Sequence, residues 1–403
     1  MKIAVVTDTP HRVGGAETYL DTLLPLMQAR GHALALCTRL ARQQGVPVLA
    51  EGASEARFAI GADRAAFLRN LDRWRPDVIF LHGLEDVDAE RACRSMAPTA
   101  YVAHTYYGTC ISSAKCFQLP APAPCDRVFG AGCLVRYFPR RCGGLSPRTM
   151  VRLYRVQRQR LAMLRTSDAV LTLSRHMRTE CERHGVDGRR IVVLPQWPAD
   201  SDGPVPDAAA GPAGPPWQLL FLARLERVKG GALIIDALPQ IAVRLGAPVT
   251  LTVAGDGPDR DRLAYRAQQA MRGSGDVSIR FAGRVDAHGR RALLAASHLL
   301  VVPSVWPEPF GLVGLEAARY GVPAVAFAVG GIPEWLHDGV TGHLAGARPD
   351  VGALAEAVVR SVSDPREYAR LRAGAAAHAA SLDRGRHVGA LDAVFESIVR
   401  RPA

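Results

Sequence analysis

Short, nearly continuous apolar runs recur along the chain, and a helix-patterned stretch follows each. In the first half they are Lys2–Asp8 (KIAVVTD), His32–Thr38 (HALALCT), Pro76–Gly83 (PDVIFLHG), Thr99–Thr105 (TAYVAHT), Asp168–Ser174 (DAVLTLS) and Ile191–Gln196 (IVVLPQ). Runs of this kind fit parallel strands buried on both faces. Between them lie amphipathic stretches such as Glu17–Arg30, where Leu20, Leu23, Leu24 and Met27 share one helical face. Strand alternating with helix predicts a doubly wound parallel sheet.

The pattern stops at Pro198–Pro216 (PADSDGPVPDAAAGPAGPP), which can continue neither a helix nor a central strand and reads as a linker. Alternation then resumes through Trp217–Arg224 (WQLLFLAR), Val249–Gly255 (VTLTVAG), Val277–Gly283 (VSIRFAG), His298–Ser304 (HLLVVPS) and Val322–Gly330 (VPAVAFAVG). The expectation is two Rossmann-like α/β domains, residues 1–197 and 217–403, joined by linker 198–216, with the last helix packing back on the first domain. A length of 403 residues suits two cores rather than one. Ligands of such sheets bind beyond the carboxyl ends of the strands, so the cleft between two domains is the expected site.

Composition narrows the setting. No window approaches the roughly 18 consecutive apolar residues of a membrane span. The N-terminal run meets Asp8 after a few residues and reads as a buried strand rather than a signal peptide, so a cytoplasmic protein is expected. The formal net charge is +12, and no acidic residue occurs from Arg127 to Ser167 although arginine recurs there. Such a patch suits an anionic partner: a membrane surface, a phosphorylated substrate or nucleic acid. A solvated arginine-rich surface is the alternative. No nucleic-acid module is recognisable, so a nucleic-acid partner is not expected. Five of the eight cysteines, Cys110, Cys116, Cys125, Cys133 and Cys142, fall in one stretch. In the cytosol they would stay reduced. They are candidates for a metal site or ordinary thiols of an insertion at 108–145, and none has the tight spacing of a structural zinc site.

Candidate chemistry sits at strand ends. After the first strand, His11–Thr18 (HRVGGAET) places Gly14 and Gly15 before a helix start near Ala16 or Glu17. Positive φ at the glycines and free helix-start amides would suit a phosphate or sugar, and an ordinary tight turn is the alternative. Ala223–Gly231 (ARLERVKGG) places Arg224 and Lys229 at a βα turn, as a fork and a point charge for a diphosphate or as two solvated charges. Gly255 and Gly257 open a dinucleotide fingerprint that fails at Arg260, and no Walker A sequence occurs. Hydride transfer and ATP hydrolysis are thereby disfavoured. His104 closes a strand and is a candidate acid, base or hydrogen-bond donor, with a structural histidine as the alternative. Asp86 and Asp88 could hold a metal-bound ligand, but they lie in a short acidic, helix-prone segment that fits a solvated surface better. Glu308 stands between Pro307 and Pro309, and Glu316 follows in a helical run, two turns in by this reading.

Together Gly14–Glu17, Arg224 with Lys229-Gly230, Gly255–Pro258, Pro303–Ala326 (PSVWPEPFGLVGLEAARYGVPAVA) and Gly330–Leu344 (GGIPEWLHDGVTGHL) resemble the retaining glycosyltransferases of family 4, which have the GT-B fold. The likeness is dense over Ala223–Leu344 and thinner from Met1 to Gln196. It implies transfer of a sugar from a nucleotide-diphosphate sugar to an acceptor hydroxyl with retention, without a metal or other cofactor. It also implies roles. Arg224 and Lys229 would hold the diphosphate, with Gly257 beside the same nucleotide. Glu316 would bind the ribose and Glu308 the donor sugar. The Phe310, Gly311 and Leu312 amides would meet sugar or phosphate oxygens. Gly14 and Gly15 would reach the donor phosphate, and His104 the reacting face of the sugar. Two departures concern the acceptor side: Thr105 follows His104 where the family often has Asp or Asn, and Gln196-Trp197 follow Pro195 where it often has Asn-Gly. The insertion 108–145 reads as an acceptor-side lid, and the arginine-rich helix near Ser146–Leu164 as a contact to an anionic membrane leaflet or phosphorylated lipid acceptor. The acceptor would then be a glycan or lipid-linked sugar of the cell envelope, with the chain peripheral on the inner face of the plasma membrane. A phosphorylase or sugar-nucleotide epimerase of the same fold, or a non-enzymatic polyanion or membrane binder, are the competing readings.

Overall fold

The computed structural model describes residues 1–12, 14–61, 63–197, 212 and 214–400. Residues 198–211 and 213, the body of the predicted linker, lie outside the described residues. The described residues divide into two compact units, one drawn from 1–115, 126–199 and 383–403, the other from 116–125 and 200–382.

The first unit opens with β1 (Lys2–Thr7), α1 (Gly15–Ala29), β2 (Ala33–Thr38), β3 (Ala56–Ala59), α2 (Arg64–Trp74), β4 (Val78–Leu81), α3 (Val87–Arg94) and β5 (Thr99–Ala103). Between β5 and the next helix of this unit stands a short antiparallel hairpin, β6 (Cys116–Phe117) with β7 (Ala123–Pro124), which groups with the second unit. The first unit continues through α4 (Gly132–Arg136), α5 (Pro147–Thr166), β8 (Ala169–Thr172), α6 (Arg175–Arg183) and β9 (Ile191–Val193). Its sheet is parallel throughout in the order β3-β2-β1-β4-β5-β8-β9. All residues of β4, β5 and β8 are buried, as the continuous apolar runs require. The predicted face of α1 is its buried face: Leu20, Leu23, Leu24 and Met27 are fully covered.

The second unit builds β10 (Trp217–Leu222), α7 (Gly231–Leu245), β11 (Val249–Ala254), α8 (Arg260–Arg272), β12 (Val277–Gly283), α9 (Ala287–Ala295), β13 (Leu299–Val302), α10 (Leu312–Arg319), β14 (Ala324–Ala326), β15 (Gly342–Leu344), α11 (Val351–Val362) and α12 (Pro365–Ser381). Its parallel sheet runs β12-β11-β10-β13-β14-β15. The chain leaves β10 toward β11 on one side and returns to β13 on the other. The carboxyl ends of β10 and β13 therefore form the switch point where such sheets bind ligands.

The last helix, α13 (Arg384–Val399), belongs to the first unit. Phe395 meets Phe80 of β4 edge-on at 5.3 Å between ring centroids. Asp392 accepts from Arg30 Nη1 at 2.7 Å and contacts His32 Nε2 at 2.9 Å. Tyr19 Oη lies 2.8 Å from His387 Nε2.

Candidate active site

The second unit gathers most of the candidate residues at its switch point. After β10, Leu225 is fully buried and anchors the turn. Its N–H donates to Asp256 O at 2.9 Å, and its carbonyl accepts from Asp259 N at 3.0 Å. This zips the turn after β10 to the turn after β11. A Cβ on Gly257 would lie 2.4 Å from Leu225 O, and one on Gly255 1.9 Å from Ala223 O. The Gly255-Asp256-Gly257 spacing is therefore a demand of two backbones in contact, which accounts for its partial likeness to a dinucleotide fingerprint.

Residues 227–229 make a single 3-10 turn that ends at Gly230, in the left-handed region at φ 72°. Any Cβ at Gly230 would stand 1.8 Å from Pro303 O, so only glycine lets the loop after β13 approach. Val228 O receives the N–H groups of Val305 (2.9 Å) and Trp306 (3.1 Å) and seats that loop. Lys229 Nζ consequently donates to Glu308 Oε1 at 2.7 Å and lies 4.4 Å from the centre of the Trp306 ring. Ser304 Oγ, fully buried, donates to the same Glu308 oxygen at 2.8 Å. Gly331 N donates to the Glu308 carbonyl at 2.7 Å. Glu308 is 7% exposed, so its charge is held by two donors in a largely dry setting. Arg224 is exposed and pairs with Glu226 at 3.0 Å on the rim of the same turn.

Gly311, at φ 98°, turns the chain into α10. The first N–H groups of that helix have no acceptor within it. Phe310 is buried, and its carbonyl accepts from Trp335 Nε1 at 2.7 Å. Glu316 is the fifth residue of α10, one turn past the start rather than two as expected, because the proline turn delays the helix to Leu312. Its Oε1 is 3.5 Å from Arg290 Nη1 on α9. The sequence reading missed Arg290, Ser304 and Trp306. Ser304 and Trp306 stood inside the matched segment, whereas Arg290 carries no local signal.

In the first unit, α1 begins at Gly15, and Gly14 is extended at φ −157°. The expected positive φ at this pair is not adopted; a Cβ at Gly14 would instead come within 3.1 Å of the Glu17 carboxylate. Burial raises the Glu17 carboxyl above its ordinary value. His104 follows β5, with its Nε2 2.8 Å from Nδ1 of His82, which follows β4. Burial lowers His104 to about 4 and His82 well below the usual histidine range. Both rings are neutral near pH 7, so His104 can donate or accept a hydrogen bond but brings no charge.

The remaining candidates lie elsewhere in the chain. Asp86 caps α3, accepting from Asp88 N and Ala89 N at 3.0 Å each, and pairs with Arg64 at 2.8 Å; Asp88 pairs with Arg91 at 3.2 Å. The aspartates thus serve a helix end. Among the described residues no three His, Cys, Asp or Glu side chains converge as metal ligands, and all eight cysteines are free thiols. Cys110 accepts from Lys115 N at 3.3 Å. Cys133 and Cys142 pack against a small core of Ile111, Phe129, Tyr137 and Leu161. Cys116 lies in β6, and Cys125 follows β7.

Two parallel α/β units, with paired charges and glycine-permitted close approaches at a switch point, are the architecture of the GT-B fold. The comparisons agree. Residues 13–197 match the model of Glycosyltransferase Family 4, and residues 207–378 that of Glycosyl transferases group 1. The chain is 30% identical over 406 residues to a glycogen synthase of Mycobacterium tuberculosis (strain ATCC 25618 / H37Rv), covering 91% of this chain and 86% of that one. It is 35% identical over 186 residues to D-inositol 3-phosphate glycosyltransferase 1 of Catenulispora acidiphila, 45% of this chain and 44% of that one. The crystal structure of Anabaena Alr3699/HepE in complex with UDP and glucose superposes with a TM-score of 0.67 at 19% identity, covering 98% of this chain and 100% of that one. The chain belongs to the family 4 glycosyltransferases.

Proposed function

We propose that the chain transfers a sugar from a nucleotide-diphosphate sugar to a hydroxyl of a glycan or lipid-linked acceptor, with retention at the anomeric carbon and without a metal. The acceptor would belong to the cell envelope, and the enzyme would work in the cytoplasm at the inner, anionic face of the plasma membrane. The observation that carries this reading is the Lys229–Glu308 pair, held by Ser304 at the switch point beside Arg224.

Each part has a task in such a reaction. The leaving diphosphate gains charge as the glycosidic bond breaks. Fixed cations at Arg224 and Lys229 and the amides of Phe310, Gly311 and Leu312, at the turn into α10, would stabilise it without reorganising. An ammonium has three donors, so Lys229 can keep Glu308 and still meet a phosphate oxygen. Lys229 and Ser304 both occupy Oε1 of Glu308. Oε2 is then the oxygen offered to hydroxyls of the donor sugar, and the carboxylate also favours an oxocarbenium-like transition state. Glu316 would accept from the ribose hydroxyls, with Arg290 orienting it, and Gly257 would line the nucleotide. In the same reading Gly14 and Gly15 meet the donor phosphate, and neutral His104 a hydroxyl of the donor sugar.

The test is proton NMR of donor turnover, including the slow transfer to water. An α-linked nucleotide-sugar should release the α anomer first. First release of the β anomer would refute retention, and full activity after exhaustive chelation is expected if no metal takes part.

A further inference from the structure

The arginine-rich helix α5 presents two unlike sides. Met150, Leu153 and Tyr154 pack toward the core of Ile111, Phe129, Tyr137 and Leu161. Gln157 accepts from Gly108 N at 2.7 Å and donates to Ser113 Oγ at 2.9 Å, and Arg160 lies 3.9 Å from the centre of the Tyr107 ring. That side is structural. The other side carries Arg148, Val151, Arg152, Arg155, Val156 and Gln159, which with Pro147 line an open groove of about 510 Å³.

We infer that this outer side of α5, together with the exposed aliphatic side chains of the preceding segment, is a docking surface for an anionic phospholipid bilayer. It deepens the membrane position proposed above and is independent of the transfer chemistry, so the two can fail separately.

Two observations carry it. The first is charge without local compensation. Among the described residues Arg148, Arg152, Arg155 and Arg158 make no ion pair, and no carboxylate occurs from residue 127 to 167. Elsewhere some exposed helical arginines find partners, as in Arg178–Glu182, Arg266–Asp236 and Arg370–Glu367, while Arg69, Arg73, Arg175, Arg260 and Arg272 stand singly on their helices. What sets α5 apart is density: four such arginines, Arg148, Arg152, Arg155 and Arg158, fall within one short stretch of helix with no carboxylate among them. The second is exposed aliphatic surface, on the groove itself at Val151 and close in sequence to it at Val135 and Leu145. Val135 of α4 is 79% exposed, Leu145, just before the Ser146 cap of α5, is 69% exposed, and Val151 is 39% exposed.

A soluble polyanion or a nucleic acid would use the arginines and leave the aliphatic groups in water. Single-stranded nucleic acid would in addition seek aromatic platforms. Of the aromatic residues between 127 and 167, Phe129, Tyr137 and Tyr154 are turned into the small core, and Phe138, 37% exposed, packs edge-on against Tyr137, so no series of stacking platforms is offered. A bilayer uses both features: headgroup phosphates meet guanidinium groups, and aliphatic tips enter the interface while arginine stems lie along it. No helix of the described residues is long and apolar enough to cross a membrane, so such contact would be peripheral.

The test is sedimentation of the whole protein with vesicles of phosphatidylcholine alone, or of phosphatidylcholine with phosphatidylglycerol at about three to one. Binding is expected with the anionic vesicles only. At roughly fivefold per arginine near an anionic surface, the triple variant R148Q/R152Q/R155Q should lower partitioning on the order of a hundredfold. The double variant V135S/L145S should lower it further at high salt, where the charge contribution is screened. Unchanged melting transitions of the ligand-free variants in the same preparations establish that they are folded. Equal sedimentation with neutral vesicles, or no loss in the triple variant, would overturn the proposal. So would loss of vesicle binding to equimolar heparin combined with an inert V135S/L145S variant, which would mark a soluble-polyanion site.

Discussion

Replacing Lys229 by methionine removes the ammonium that lies over the Trp306 ring while keeping most of the side-chain stem. Glu308 would then keep Ser304 as its one side-chain donor in surroundings that leave it 7% exposed. Removing one partner of a buried ion pair costs about 3–5 kcal/mol, because the other charge remains desolvated. The Lys229 side chain is 21% exposed and that of Glu308 9%, so water can enter in part, and the lower end, about 3 kcal/mol, applies. For a unit of this size that lowers the melting transition by roughly 6–12 °C. Glu308→Gln should be milder, about 1 kcal/mol, since Lys229 keeps the Trp306 face and partial access to water. In the double variant the neutral glutamine still accepts from Ser304, and about 2 kcal/mol of the Lys229→Met loss should return. Differential scanning calorimetry on the four proteins measures this and separates transitions of the two units. Wild-type melting in Lys229→Met, or a double variant equal to the sum of the singles, would refute the buried-pair reasoning.

Other outcomes follow from the same geometry. Gly314→Ala puts a Cβ 2.1 Å from the Trp335 ring, which should destabilise the second unit by about 1–3 kcal/mol and disturb the start of α10; unchanged melting would show that the ring moves aside freely. His104 and His387 are both lowered to about 4 by burial, so the unfolded chain binds protons that the fold refuses. Their stabilisation is fully present above the ordinary histidine value of about 6.5 and is lost as the pH falls toward 4. The transition of the first unit should fall across that window, and His387→Asn should flatten the slope; an identical slope would exclude His387 as a contributor. Glu316→Ala should weaken nucleotide-diphosphate binding, whereas Glu308→Ala should chiefly lower turnover. Equal loss of nucleotide affinity in both, measured by calorimetric titration, would contradict the division of roles.

Continuous apolar runs made the buried strands legible, since a strand covered on both faces leaves little room for polar residues. Three features escaped for the converse reason. The edge strand Ala56–Ala59 is half exposed, Gly342–Leu344 has three residues around a histidine, and the hairpin at Cys116–Pro124 has two-residue strands. Motif residues were legible as residues but not as contacts. Lys229 and Glu308 are 79 positions apart, and only the close approach permitted by Gly230 brings them together. The same limit hid Arg290 beside Glu316, because no local pattern links α9 to α10. At Gly14-Gly15 the type of residue suggested a left-handed turn, and the backbone is extended at Gly14 and helical at Gly15. Glycine there leaves room for Glu17 rather than supplying an unusual dihedral.

The most direct measurement is a thermal-shift screen of nucleoside diphosphates and their sugar conjugates against the wild-type protein and Glu316→Ala. A nucleotide-sugar enzyme should gain about 2.7 kcal/mol of apparent stability from its own diphosphate at a hundredfold excess over the dissociation constant. That gain should shrink in Glu316→Ala at the same concentration. If no nucleoside diphosphate stabilises the wild-type protein, the account of its active site is contradicted.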